Sequence, residues 1–253
     1  MPNRRAAPAL LAPALLAAAL AAGPARAAEL EVSPVLLELS AATRSALLSV
    51  RNAGASPARL QVKAFAWAER PEGGMDLAPA PEVLVFPPLL ELAPGASRNV
   101  RVGISAEPGA TERAFRLFVE ELPPAREPGA PSEIRVLTRI GIPLFLQPAA
   151  PEPRPEIAAL AVSDGKVAFT LRNGGTARFR PDAVEVVLAG EGGAPLRTLR
   201  QEGWYVLAGG ERRYAFDLPR EEAHLVRAVI ARAVAPAGAV EARLALPGGA
   251  RGP

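Results

Sequence analysis

The stretch that decides the fold is PSEIRVLTRIGIPLFLQPAA, Pro131 to Ala150. Apolar and polar residues alternate through its first part, the period of a strand with one wet face. Gly141 and Pro143 then interrupt it, and both are poor residues for the middle of a sheet. Directly after it, four prolines fall between Gln147 and Glu156, the composition of a short, stiff linker. A long strand that is partly unsuited to pairing therefore runs into a domain boundary.

Outward from this stretch the chain is rich in strand and turn patterns. Toward the N-terminus lie LEVSPVLLELS, RSALLSVRNAG and ARLQVKAFAWAE, in which Leu60, Val62 and Ala64 alternate with Arg59, Gln61 and Lys63. LLELAPGASRNVRVGIS carries a Pro94-Gly95 turn, and ERAFRLFVEELPP is stopped by Pro123-Pro124. Beyond the linker, further strands are separated by turns at Asp164-Gly165, Asn173-Gly174, Gly192-Gly193 and Gly209-Gly210. Short strands at this spacing predict an all-β protein of two sandwiches. The expected division is residues 28–149 for the first domain, 150–155 for the linker and 156–250 for the second. VRNAG and LRNGG hold similar early positions in the two halves, a sign of related domains.

The first 27 residues read as a secretory signal peptide. Arg4 and Arg5 precede an apolar run broken by Pro8 and Pro13, and Ala25-Arg26-Ala27 is a small-x-small cleavage pattern. The run is too short for a confident membrane span, so no stable anchor is expected after cleavage. The formal charge of +3 belongs to this segment, because the remainder holds 26 basic and 26 acidic side chains. A nucleic-acid partner thus loses its electrostatic motive. The chain has no cysteine and a single histidine, His224, so thiolate and His-rich metal sites are excluded.

No catalytic constellation is visible. Asp76, Glu82, Asp164 and Asp182 lie beside turns, and no spacing picks out an acid/base pair. Neither PGASRNV nor AGGERR has the lysine or the strand–loop–helix setting of a phosphate loop. The expectation is a binding protein, not an enzyme, with no cofactor and no metal.

Several pieces, in order along the chain, resemble the periplasmic pilus (fimbrial) assembly chaperones. They are SPVLLELS, LLSVRNAG, AFAWAE, VFPPLLELAPGASRNVRVGI, ERAFRLFVEELPP, IRVLTRIGIPLFLQPAA, LRNGG and GWYVLAGG. The resemblance implies two immunoglobulin-like β-sandwiches in an L or boomerang arrangement, located in the periplasm. It implies binding of secreted pilus or fibre subunits by a lent β-strand, with an outer-membrane usher as a further partner. The lending strand would be Glu133 to Leu146, with Ile134, Val136, Thr138 and Ile140 as the subunit-facing residues. Leu137 takes that role if the strand bulges.

Members of that family clamp the subunit's terminal carboxylate with two basic residues in the interdomain cleft. The matching positions here are Leu36 and Pro143, neither of them charged. Arg139, Arg135 and Arg116 are the candidate replacements, since arginine binds carboxylates bidentately. Phe65 and Trp67 are expected in the first core, and Trp204 and Tyr205 in the packing of the second domain. Two alternatives stand beside this reading: a secreted structural or adhesive β-sandwich protein, and a carbohydrate-binding module. The latter needs an exposed aromatic platform, and the chain has only 12 aromatic residues, most of them in strand patterns.

Overall fold

A computed structural model describes residues 29–123, 136–236 and 238–246. Alternation along each strand sorts side chains onto two faces, and the buried faces meet as two separate cores. In the first sandwich one sheet is ordered β1-β3-β8-β6, from Leu30–Ser33, Ser45–Asn52, Ser97–Ile104 and Val83–Phe86. The facing sheet is β2-β10-β9-β4-β5, from Leu37–Leu39, Arg139–Leu146, Arg113–Glu121, Ala58–Glu69 and Met75–Pro79. β7 (Leu89–Leu92) also pairs with β4. Leu48, Val50, Leu60, Val62, Val100, Val102, Leu117 and Leu144 fill the space between.

The second sandwich packs β11-β12-β15 (Pro155–Ser163, Lys166–Asn173, Glu211–Asp217) on β14-β13-β16-β17. The latter strands are Pro195–Glu202, Ala183–Ala189, Ala228–Ala235 and Gly238–Ala245. Its core holds Val167, Phe169, Leu171, Val184, Val186, Leu188 and Val229. At the hairpin joining β11 to β12, Asp164 and Gly165 both take positive φ, as a two-residue turn of this hand requires. Among the described residues, no helix is long and apolar enough to cross a membrane.

The VRNAG and LRNGG motifs fold into the same device twice. Asn52 and Asn173 are both buried. Asn52 Nδ2 donates to the carbonyls of Ser56 (2.8 Å) and Leu92 (3.1 Å), while its Oδ1 accepts the Gly54 N–H. Asn173 Nδ2 donates to Ala177 (2.8 Å) and Val206 (3.0 Å), and its Oδ1 accepts the Gly175 N–H. Backbone bonds repeat as well: Gly95 N–H donates to Asn52 O and Gly209 N–H to Asn173 O. One buried amide thus satisfies a turn and the hairpin facing it in each sandwich.

In the second sandwich that device also holds the linker. Arg154 N–H donates to Asn173 Oδ1, and Thr176 N–H to the Glu152 carbonyl. Gly175 is required here for space, because a Cβ on it would lie 2.1 Å from the Glu152 carbonyl oxygen.

Candidate functional site

The lending segment divides at Arg139. From Arg139 to Leu146 it is β10, antiparallel to β9 with Arg139 opposite Glu120 and Leu146 opposite Arg113. It runs parallel to β2 only over Leu144–Leu146, against Leu37–Leu39. The regular strand is therefore shorter than Glu133 to Leu146, since residues 136–138 have no strand assignment. Ile134 and Arg135 lie outside the described residues.

Val136 and Leu137 are exposed at 63% and 43%, two adjacent aliphatic side chains turned to solvent. Thr138 is half-buried and joins the ladder, its carbonyl accepting the Glu121 N–H at 2.9 Å. Ile140 packs against the first core, with Ile142, Leu144 and Leu146 on the same face. Its side chain thus packs on its own domain.

The bonds at the two ends of β10 establish which backbone groups face which neighbour. Glu121 N–H donates to Thr138 O, and Gln147 N–H donates to Leu39 O at 2.8 Å. Bonding directions alternate along a strand, so even-numbered residues of β10 bond to β9 and odd-numbered ones turn toward the β2 side. Among the described residues no strand pairs with that side before Leu144. Arg139 and Gly141 present backbone groups there, whereas Pro143 has no N–H to present. The proline consequently costs the β9 ladder nothing, which explains how it sits inside a strand.

The outer face of β10 meets the second domain at its linker end, through Phe145. Phe145 packs with Trp67 (ring centroids 5.9 Å apart) and with Tyr205 of the second domain (5.5 Å). Trp204 and Leu36 pack against this cluster. Trp67 is therefore a residue of the domain seam and not of the first core. Phe65 lies on the same outer face, edge-on to Phe118 at 5.8 Å. Trp204 and Tyr205 likewise serve the seam, contrary to their expected place inside the second domain. Sequence alone could not assign these rings, because it does not show which faces of two sandwiches meet.

Leu36 and Pro143 lie beside one another at the cleft, one residue before the first β2–β10 pair. Directly across from Pro143 on β9 is Arg116. Its guanidinium lies over the indoles of Trp67 (5.3 Å) and Trp204 (5.9 Å). Gly141 leaves it room, since a Cβ there would come within 3.1 Å of Arg116 Nε. Arg116 Nε and Nη1 are buried without a hydrogen-bond partner, and so is Trp67 Nε1. Burial pushes the guanidinium pKa down, opposed by Tyr205. Three orphaned donors around one cation form a site lacking an acceptor.

Arg139 is elsewhere. Its guanidinium stacks on Phe118 at 3.7 Å and its Nε pairs with Glu120 at 2.8 Å, several residues up the strand from the seam. It is not a cleft residue, and its charge is already matched.

The seam also holds charged groups that the sequence reading did not single out. Arg178 of the second domain donates to Glu38 on β2 and to Glu112 at the base of β9, and its backbone N–H donates to Glu112 Oε1 at 3.0 Å. Burial raises the Glu112 pKa, with Arg178 opposing. Glu69, at the end of β4, accepts the Leu207 N–H at 2.9 Å and lies 3.7 Å from Arg212. A cavity of about 270 Å³ separates Glu69 and Glu112, lined also by Trp67, Ala114 and the Leu207–Gly210 turn. Glu69 stands two residues after Trp67 on the same face, the one cue in the sequence that it shares the seam.

Residues 29–152 match the family described as pili and flagellar-assembly chaperones, PapD N-terminal domain. No curated protein matches the sequence. Among solved structures, a chain of the CsuC–CsuE chaperone–tip adhesion subunit pre-assembly complex, from the archaic chaperone-usher Csu pili of Acinetobacter baumannii, is similar with a TM-score of 0.60 and 18% identity. The match covers 85% of this chain and 98% of that one. The E. coli chaperone DraB gives a TM-score of 0.54 at 19% identity, covering 86% and 97%. A chain of the Salmonella enterica SafA pilin–SafB chaperone complex gives 0.53 at 20%, covering 86% and 96%. These likenesses show the fold, two immunoglobulin-like sandwiches joined by a linker. The first domain, over residues 29–152, belongs to the pili and flagellar-assembly chaperone family.

Proposed function

We propose that this protein is a periplasmic chaperone that binds secreted pilus or fibre subunits by lending them the segment leading into β10, and delivers them to an outer-membrane usher. The observation that carries the reading is the one-sided strand: β10 is bonded to β9 along its length, its other side is bordered by β2 only from Leu144 on, and exposed Val136 and Leu137 precede it. An added strand gains backbone bonds at Arg139 and Gly141, while apolar side chains upstream enter the partner's groove. The same cover protects a subunit whose unpaired edge would otherwise aggregate.

Arg116 takes the place of the missing basic pair at Leu36 and Pro143. It is cross-strand from Pro143, and its two orphaned N–H groups with Trp67 Nε1 suit a carboxylate. The test is co-expression with a pilus subunit from the same genome. Capture of the subunit in soluble form is expected, with Val136→Asp abolishing it. Arg116→Met is expected to weaken capture at least about tenfold, because hydrogen bonds to a charged group are worth roughly 1.5–3 kcal/mol. Undiminished capture by Val136→Asp would sink the strand assignment, and undiminished capture by Arg116→Met would remove the anchor.

A further inference from the structure

We propose that the lower end of the lending edge is a register stop made by Pro143 and strand β2, and that Arg178 of the second domain is the positioning residue that holds it. This rests on the strand-lending reading above. A partner strand advancing along β10 toward the linker meets bonding positions at Arg139 and Gly141, then at Pro143 a position with no N–H. One residue further the edge is occupied, since β2 pairs with β10 from Leu144 to Leu146. Any strand that advances beyond this point must displace β2.

β2 is only three residues long, and a strand of that length has few bonds of its own. From inside, buried Leu37 and Leu39 hold it. Its outward residue is Glu38, and that residue is held from the other domain. The Arg178 guanidinium lies 3.9 Å from the Phe145 ring centroid, donates through Nη2 to Glu38 and through Nη1 to Glu112. Its side chain is 15% exposed and that of Glu112 only 2%, so this clamp is largely shielded from solvent. Gln147 Nε2 donates to Glu38 as well, at 3.1 Å. Arg178 thus ties together β2, the base of β9 and the face of β10, without lying on the edge that the partner uses.

The consequence is specificity of register. A strand's faces repeat every two residues, so a slip of two leaves every apolar side chain pointing correctly and is opposed by side-chain packing least of all. A fixed end to the ladder removes that degeneracy. The second domain lends no strand, but through Arg178 it sets where the first domain's edge ends.

Hydrogen exchange and cross-linking test this together. In the free protein, Arg178→Gln is expected to raise amide exchange across Leu37–Leu39 about tenfold or more, the loss of charge-assisted bonds. Glu38→Ala keeps the Arg178–Glu112 pair and with it the seam, and is expected to raise exchange a few-fold, as suits a half-exposed ion pair. Unchanged exchange in both variants would overturn the clamp.

For register, a cysteine replacing Val136 is cross-linked to single cysteines placed along the pairing strand of the pilin captured by co-expression. The chain has no native cysteine to interfere. The Val136→Cys protein is expected to cross-link at one position, and adding Arg178→Gln or Pro143→Ala to it to give a second position two residues along. One unchanged position in both variants overturns the stop. If wild type captures no pilin, the lending reading falls and the stop with it. That failure is distinct from a normal complex whose register ignores the substitutions.

Discussion

Replacing Glu69 by glutamine should make the protein more stable at neutral pH, and the gain should vanish on acidification. The Glu69 side chain is only 2% exposed, and its Oε1 is buried without a hydrogen-bond partner. Burial raises its pKa from 4.5 to about 7, against the opposing pull of the Leu207 N–H and of Arg212. The folded state therefore binds this proton more tightly than the unfolded state does. Stability from this linkage is complete below the unfolded value near 4.5 and is lost as pH rises through about 7.

At about 1.4 kcal/mol for each unit, the full shift sets a ceiling of roughly 3 kcal/mol. The cavity beside Glu69 has room for water to screen the carboxylate, so about 1–2 kcal/mol is the expected effect. Glutamine keeps an oxygen for the Leu207 N–H and carries no charge to bury. Urea denaturation of both proteins between about pH 5 and pH 8 measures the difference, and groups common to both cancel. The advantage of Glu69→Gln should be near zero at the acidic end and grow steadily toward the alkaline end. Parallel curves, or an advantage that shrinks as pH rises, would refute the reasoning.

Two further stability effects follow from the repeated turn. Asn52→Ala and Asn173→Ala should each cost about 1–3 kcal/mol or more in urea denaturation, because each removes the amide that bonds a turn carbonyl, Ser56 or Ala177, and a turn N–H, Gly54 or Gly175. Asn173→Ala should also raise amide exchange at Arg154, whose N–H it accepts, while Asn52→Ala leaves that amide unchanged. Gly175→Ala should destabilise by about 1–3 kcal/mol or more, since its Cβ would overlap the Glu152 carbonyl and only a shift of the linker relieves it. An alanine variant as stable as wild type would show that the linker moves freely.

Much of the fold was legible because its signals are local. Alternation in ARLQVKAFAWAE gives β4 at its observed bounds, and the RNAG and RNGG motifs correspond to the two buried asparagines. Pro143 was legible as an oddity, and its explanation needed one fact that alternation cannot supply: which side of β10 is bonded. The cleft was the least readable part. Arg116 has meaning only once Gly141, Trp67 and Trp204 surround it, and those residues come from two strands and a loop of two domains. Arg139 has the strand parity of Pro143 and so looked equivalent, but parity does not say how far along the strand the seam lies. Glu69, Glu112 and Arg178 carry no motif. They became visible as a set only through burial.

The paired asparagine turns differ in how much insertion they tolerate. In the first sandwich the hairpin that Asn52 holds, around Ala93 to Gly95, lies exposed on the surface. In the second, the corresponding hairpin supplies the Leu207 N–H to Glu69 and lines the seam cavity. One corner thus forms part of the domain seam while its counterpart faces solvent. An affinity tag or fluorophore loop belongs at Pro94, where the surface has room for it, and would wreck the joint if placed at Ala208.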